Sequence, residues 1–485
     1  MYLIIALILF AIILVAKIAS KWRVPLVVIS LFAGILFGSD LLKLVYFDNF
    51  KLAKNIANFA LVFILFIGGF GTGKDRLKTV FKPAMLLATA GVVVTATITA
   101  VLVYVFLRLD LQISILIGCI IASTDAAAVF SILRSRSLNP KLSSVVEIES
   151  ATNDPMAIVL TSIAVQLIVA QVQHPVNIVI SLIWQIAGGI LIGIIVGYIG
   201  AFLFKYLKTL DKGYFYLYIL AVIMLSFGAA DLAKASGVLS AFFAGYLIGN
   251  TSIPYKSAIS TLLEAQSTIA NVVIFVLLGL LAFPSEFRHV YKDGIILFLI
   301  LTILARPVAV FLCTILTNYT IKEKIFLSWS GLRGAVPIVL ATYPAAAGIA
   351  SSKEIFNLVF FAVLLSMIVR GSTIVKLADM LKLTGKSKPR PKQFMELMTL
   401  QKNDLELIEF SIDDDIYKGT TLVSAIKLHP GTTITMINRN DRIIAPRGDT
   451  KICAGDVLYI LVKTENIENV TSEILKCFEL RHEKT

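Results

Sequence analysis

Charge is what this chain of 485 residues has least of: 15% are Asp, Glu, Lys or Arg, against 58% apolar, and mean hydropathy is +0.87. Soluble proteins carry about a quarter charged residues, so a water-soluble fold of this length is excluded. Cysteine is scarce too. Cys119, Cys313, Cys453 and Cys477 form no CxxC pair, which argues against a disulfide scaffold or a zinc centre. The histidines His174, His289, His429 and His482 are equally dispersed and read as ordinary surface residues. Acidic residues are outnumbered 31 to 44, for a net charge of +13. No aromatic-interleaved basic domain accompanies that excess, so nucleic acid is not an expected partner. Basic cytoplasmic loops of a membrane protein account for it instead.

The apolar material comes in about thirteen blocks of spanning or near-spanning length between residues 2 and 376. The first block lacks a basic leader and has Lys17, Lys21 and Arg23 after it, so it reads as a retained transmembrane helix embedded in the lipid bilayer rather than a signal sequence. Alternate loops differ in basic content, roughly 16 residues against 8, which predicts the N-terminus outside and the C-terminus in the cytoplasm of a multi-pass cell-membrane protein. The expected fold is polytopic α-helical over residues 1–380, then a basic linker at 381–394. A small α+β cytoplasmic domain follows at 395–485, with strands near 405–412, 432–437, 442–446 and 456–462 and helices over 421–428 and 468–478.

One stretch between apolar runs concentrates polar groups: Glu149-Ser-Ala-Thr-Asn-Asp-Pro155. On a helix, Glu149 and Asn153, and Ser150 and Asp154, recur four apart and project together. A carboxylate at membrane depth costs roughly 2.5–3.5 kcal/mol, which marks a functional group. Pro155 removes a backbone donor and biases Asp154 away from helical geometry. An isolated anion there calls for neutralisation by a proton or by a cation with hard oxygen ligands, and the two compete. This predicts a cation and proton site in a secondary transporter.

Two other spans look interrupted. Ser123, Thr124 and Asp125 break one apolar run, and Thr124 or Asp125 would cap a second half-helix from Ala126 to Leu133. Gly331-Leu-Arg-Gly334 and Pro337 break another. Interrupted helices in corresponding halves of a transporter point to its binding site. Arg306 reads as an internal charge partner or a snorkelling side chain, and Arg370 as an anchor near the cytoplasmic end.

These motifs, with Ser240-Ala-Phe-Phe-Ala-Gly-Tyr-Leu-Ile-Gly-Asn250, resemble the NhaP branch of the monovalent cation:proton antiporters, particularly the cell-volume-regulation (CvrA-like) K+/H+ type. Gly448-Asp-Thr450 and Ala454-Gly-Asp-Val-Leu-Tyr459 resemble an RCK C-terminal (TrkA-C) module. The resemblance implies a homodimer of thirteen-helix subunits with inverted repeats. It also implies a K+ or Na+ and proton site at Asp154, with Glu149, Ser150 and Thr124 as further ligands and no resident cofactor. Asn153 stands where electrogenic relatives have a second Asp, which implies electroneutral exchange. Asp125 and Arg333 would balance charge where half-helices meet. Branch members often place an acid for that arginine before a Gly-Gly pair; here Ile67 occupies the place, so Arg333 needs another partner. Modules like the tail bind nucleotides such as cyclic di-AMP, which makes a nucleotide the expected kind of effector, although no motif specifies one.

Two other classes compete. An RCK-regulated cation channel would need a carbonyl-lined filter, and no run like Thr-Val-Gly-Tyr-Gly is present. An intramembrane aspartyl protease would use Asp125 and Asp154 as its two acids.

Overall fold

The computed structural model describes residues 2–19, 26–133, 137–170, 175–204, 206, 212–251, 253, 255–315, 317–385, 394–396, 405–412, 421–426, 428–439, 442–463, 466, 469–470 and 473–474. The chain divides into two compact units, Met1–Lys386 and Ser387–Thr485. Most of the basic linker (386–393) and Cys477 lie outside the described residues.

Among the described residues, eight helices of the first unit are long and apolar enough to cross a bilayer. The count is nine when Ile321–Ser330 and Ala335–Ala346, bent by 45°, form one broken span. Four further apolar helices are shorter: Ile5–Lys17, Leu26–Phe37, Leu111–Ile120 and Gly237–Gly249. Length and hydropathy thus establish eight or nine spans, and the expected thirteen requires the shorter helices to cross as well. Large apolar side chains such as Phe106, Tyr198 and Leu217 stand on the outside, where lipid rather than water must cover them.

The largest buried cluster draws Leu61, Ile117, Ala157, Ile274 and Ile338 from five helices, and so centres on the interrupted spans. Helices Phe50–Gly71 and Gly237–Gly249 approach so closely that a Cβ on Gly245 would lie 2.2 Å from the Phe66 carbonyl oxygen. Small residues permit such contact between membrane helices, where packing rather than the hydrophobic effect drives association. Two wide π-helical turns, Ile300–Ala305 and Ser366–Arg370, interrupt otherwise α-helical segments. A short antiparallel ladder pairs Ser137–Leu138 with Thr384–Gly385.

Two expectations are corrected. The helix Pro140–Ala170 runs through Asp154 and Pro155 without a break; in a membrane, packed neighbours can compensate the hydrogen bond that proline removes. The described residues of the helix expected over 421–428 do not form one. Thr421–Leu422 pairs with Lys451–Ile452, and a 3-10 turn Val423–Ala425 follows. Strand pairing with a distant partner has overridden local propensity there.

The second unit is built on a five-stranded antiparallel sheet in the order Phe394–Glu396, Leu405–Ser411, Val457–Lys463, Thr433–Arg439, Arg442–Ile444. Ile408, Phe410, Ile437, Leu458 and Ile460 form its core, with Val470 and Ile474 packed against them. The strands expected near 405, 432, 442 and 456 are all present. Of the helix expected over 468–478, only 469–470 and 473–474 are described, and they are helical.

Candidate ion site at the crossed helix breaks

Both interrupted spans break as the polar and glycine residues require, and the two breaks touch. Helix Leu111–Ile120 stops, and Ala126–Ile132 restarts behind Asp125, whose Oδ1 accepts from the Ala128 N–H at 3.1 Å. Asp125, not Thr124, is therefore the cap. Its own N–H donates to the Leu332 carbonyl in the other break at 2.7 Å. Gly334 opens the half-helix Ala335–Leu340, and a Cβ there would fall 2.1 Å from Asp125 Oδ2. Only glycine admits the carboxylate at that point. Asp125 thus places its negative charge beside two helix N-termini, where the helix dipole favours it.

The C-terminal ends of the preceding half-helices meet arginines instead. Arg333 is 1% exposed, and its Nη1 donates to the carbonyls of Ala122 and Ser123 at 2.7 and 2.5 Å. That answers the question raised by Ile67: the hydrogen-bonding partners of Arg333 are backbone carbonyls. Arg370 donates to the carbonyls of Ser328 and Trp329, and Arg306 to that of Leu327, all at the end of Ile321–Ser330. Arg370, read as a peripheral anchor, is in fact 1% exposed and caps a broken helix. A π-turn precedes Arg306 and another ends on Arg370. Such turns change the direction in which the following side chains project and recur at functional sites.

The helix Pro140–Ala170 lies across these breaks, but its polar residues do not act alike. Ser150 Oγ accepts from the Ala126 N–H at 2.9 Å and donates to the Thr124 carbonyl at 2.8 Å. Asn153 Nδ2 donates to Thr124 Oγ1 at 2.6 Å, and its Oδ1 faces the Thr124 N–H at 3.4 Å. Glu149 turns away from this group and gives both oxygens to Arg306, at 2.5 and 2.9 Å, with both side chains buried. Sequence reading left Arg306 as an internal charge partner or a snorkelling side chain and named no partner; the structure decides for the first. The signal was the small number of acids within the apolar blocks, which left Glu149 among the few that could neutralise a buried guanidinium.

Asp154 is different. Its Oδ1 is sealed from solvent with no hydrogen-bond partner among the described residues, while the residue as a whole keeps partial exposure. Ser123, Asp125 and Arg333 are its polar neighbours. Ser123 Oγ and the Nε and Nη2 of Arg333 are likewise buried without partners. Orphaned polar atoms are uncommon in folded proteins, and each costs about 1–3 kcal/mol. Several of them around one carboxylate describe a place built to receive something. Ser123 was read only as a helix breaker, so its hydroxyl beside Asp154 was missed.

Residues 5–379 match the family model described as sodium/hydrogen exchanger, transmembrane. The chain belongs to that family. Residues 407–475 match the TrkA-C domain. The K(+)/H(+) antiporter NhaP2 of Shewanella oneidensis is 32% identical over 466 residues, covering 95% of this chain and 80% of that protein. The K(+)/H(+) antiporter NhaP of Alkalimonas amylolytica is 35% identical over 412 residues, 84% of this chain and 72% of its own length. Among solved structures, the sodium proton antiporter MjNhaP1 of Methanocaldococcus jannaschii at pH 8 superposes with a TM-score of 0.67 at 26% identity. It covers 79% of this chain and 99% of that one. This exchanger is thus a cation/proton antiporter carrying a TrkA-C regulatory domain, and not an enzyme. Asp125 and Asp154 are accordingly not a protease pair, and the channel reading is not favoured.

Proposed function

We propose that this antiporter exchanges a monovalent cation, K+ in preference to Na+, for protons across the cell membrane by competition at Asp154. The observation that carries the reading is the unpartnered, buried Asp154 Oδ1 where the two helix breaks cross. A proton neutralises that oxygen, or a cation does so with help from oxygens nearby. Ser150 Oγ and the Thr124 carbonyl each retain a lone pair after their mutual hydrogen bond, and Ser123 Oγ lies beside the Asp154 carboxylate. Asn153 braces Thr124, and Asp125 and Arg333 hold the broken helices. Glu149, whose oxygens are both taken, acts through Arg306. If only loaded forms change access, cation and proton are exchanged. Asn153 adds no titratable group, which supports an electroneutral cycle. The preference for K+ rests on the K(+)/H(+) antiporters to which the chain is similar.

The reading places the protein in the cell membrane as a homodimer, N-terminus outside and TrkA-C module in the cytoplasm, where a nucleotide such as cyclic di-AMP acts as effector. The backbone supports regulation by that module. The chain leaves the membrane unit through Thr384–Gly385, paired with Ser137–Leu138 in the connection between Ala126–Ile132 and Pro140–Ala170. Truncation after Lys392 keeps this ladder and removes the module. It should preserve basal exchange and abolish the effector response; an unchanged response would refute a regulatory role.

The direct test is reconstitution into liposomes holding a pH-sensitive dye, with K+ or Na+ added in turn. Each cation that is carried should drive proton movement, K+ at the lower concentration, at a rate indifferent to a clamped membrane potential. Its apparent KM should rise as pH falls, because proton and cation compete for one oxygen. Cation flux without proton movement would identify a channel.

A further inference from the structure

A cavity of about 210 Å³ lies beyond the site on the same helix. Ile158 and Ser162 line it, one and two turns past Asp154 on one face, or about 6 and 12 Å along the axis. Leu61 and Ile158, both buried, are part of its wall, and Asp154 is not. Its lining includes two charged side chains, Asp231, which is exposed, and Lys54, which is half-buried. Lys54 Nζ sits 4.4 Å from the centroid of the Tyr343 ring. The Tyr343 hydroxyl in turn donates to Asn58 Oδ1 at 2.7 Å, fixing the ring. Lys54 has no ion-pair partner among the described residues.

Resting on the assignment of Asp154 above, we infer that this cavity is an antechamber on one face of the membrane and that Lys54 determines how readily cations occupy it. A fixed, unpaired ammonium repels any cation in the chamber. The chamber therefore favours cation departure on its face, while Asp231, exposed in its lining, acts in the opposite sense. Tyr343 ties this charge to the helix breaks, since its helix Thr342–Ala346 directly follows the half-helix Ala335–Leu340.

Cation KM is measured separately on the two faces of oriented proteoliposomes. Lys54→Gln is expected to lower KM on the chamber face by about three- to tenfold, as removal of one nearby unit charge should, and to leave the opposite face unchanged. Asp231→Asn should raise KM on the chamber face, and Lys54→Arg should behave as the parent. Equal effects on both faces, or none, overturn the inference. A second readout does not need transport. With the native cysteines replaced, Ser162→Cys should react from one face only, faster with an anionic than with a cationic methanethiosulfonate, and Lys54→Gln should erase that preference. Absence of labelling, or a preference indifferent to Lys54, also overturns it. If Asp154→Asn still exchanges ions, the site assignment itself is wrong. If exchange requires Asp154 and both Lys54 readouts are flat, only the antechamber fails.

Discussion

Replacing Asp154 with Asn should reduce proton-coupled cation flux to below about one-hundredth of the parent rate while leaving the protein as stable as before. The two halves of this expectation come from the same atom. Asn is nearly isosteric with Asp but binds no exchangeable proton in the physiological range and cannot neutralise a cation. Both loaded states of the transporter are therefore lost. Stability is spared because Asp154 Oδ1 makes no hydrogen bond that the substitution would remove, and because a neutral amide costs less at membrane depth than an unpaired carboxylate. The check is dye-reported exchange in liposomes beside a thermal melt in detergent. Persistent exchange would refute the site, and a large fall in melting temperature would show that Asp154 is a structural cap. Asp125→Asn should behave in the reverse manner. Asp125 caps one half-helix and faces the start of a second; Asn keeps the cap, so the loss is that of the charge beside the helix dipoles, about 0.3–2 kcal/mol of stability.

The contrast between these aspartates shows what was legible in the sequence. The breaks were legible because Ser123-Thr-Asp125 and Gly331-Leu-Arg-Gly334 violate the apolar pattern that a continuous span needs, and a cap at Thr124 or Asp125 followed from the apolar helix after them; the choice of Asp125 needed the structure. The tail strands were legible from alternating apolar residues. Which polar residue meets which was not. Glu149 and Asn153 stand four apart, yet one turns to Arg306, 157 residues away, and the other to Thr124. Nothing local encodes that divergence; it depends on where the crossing helices lie. The π-turns beside Arg306 and Arg370 are equally silent, since Ile300–Ala305 has the composition of any apolar helix. Resemblance supplied the expectation of an acidic partner for Arg333. In this chain a pair of carbonyls fills the role, which explains how Ile67 is tolerated.

The Glu149–Arg306 pair carries the largest expected effect on stability. Glu149→Gln or Arg306→Gln leaves one buried charge without its counter-ion, and breaking such pairs costs about 3–5 kcal/mol. For Arg306 the loss extends to the Leu327 carbonyl, which closes the first half of a broken span. Removing both charges together, as Glu149→Gln with Arg306→Met, should recover a large part of the loss, because neither charge is then left unpaired. A double-mutant cycle read by thermal unfolding measures the coupling. The same cycle decides what Glu149 does. A cation ligand would show a raised KM in Glu149→Gln at nearly parental stability, and the Arg306 substitution would not repair it. A brace would show the loss in yield and melting temperature, with KM preserved in the double variant that folds. The bidentate geometry, with both carboxylate oxygens already on one guanidinium, favours the brace: a cation would have to displace a charge-assisted hydrogen bond about twice as strong as a neutral one.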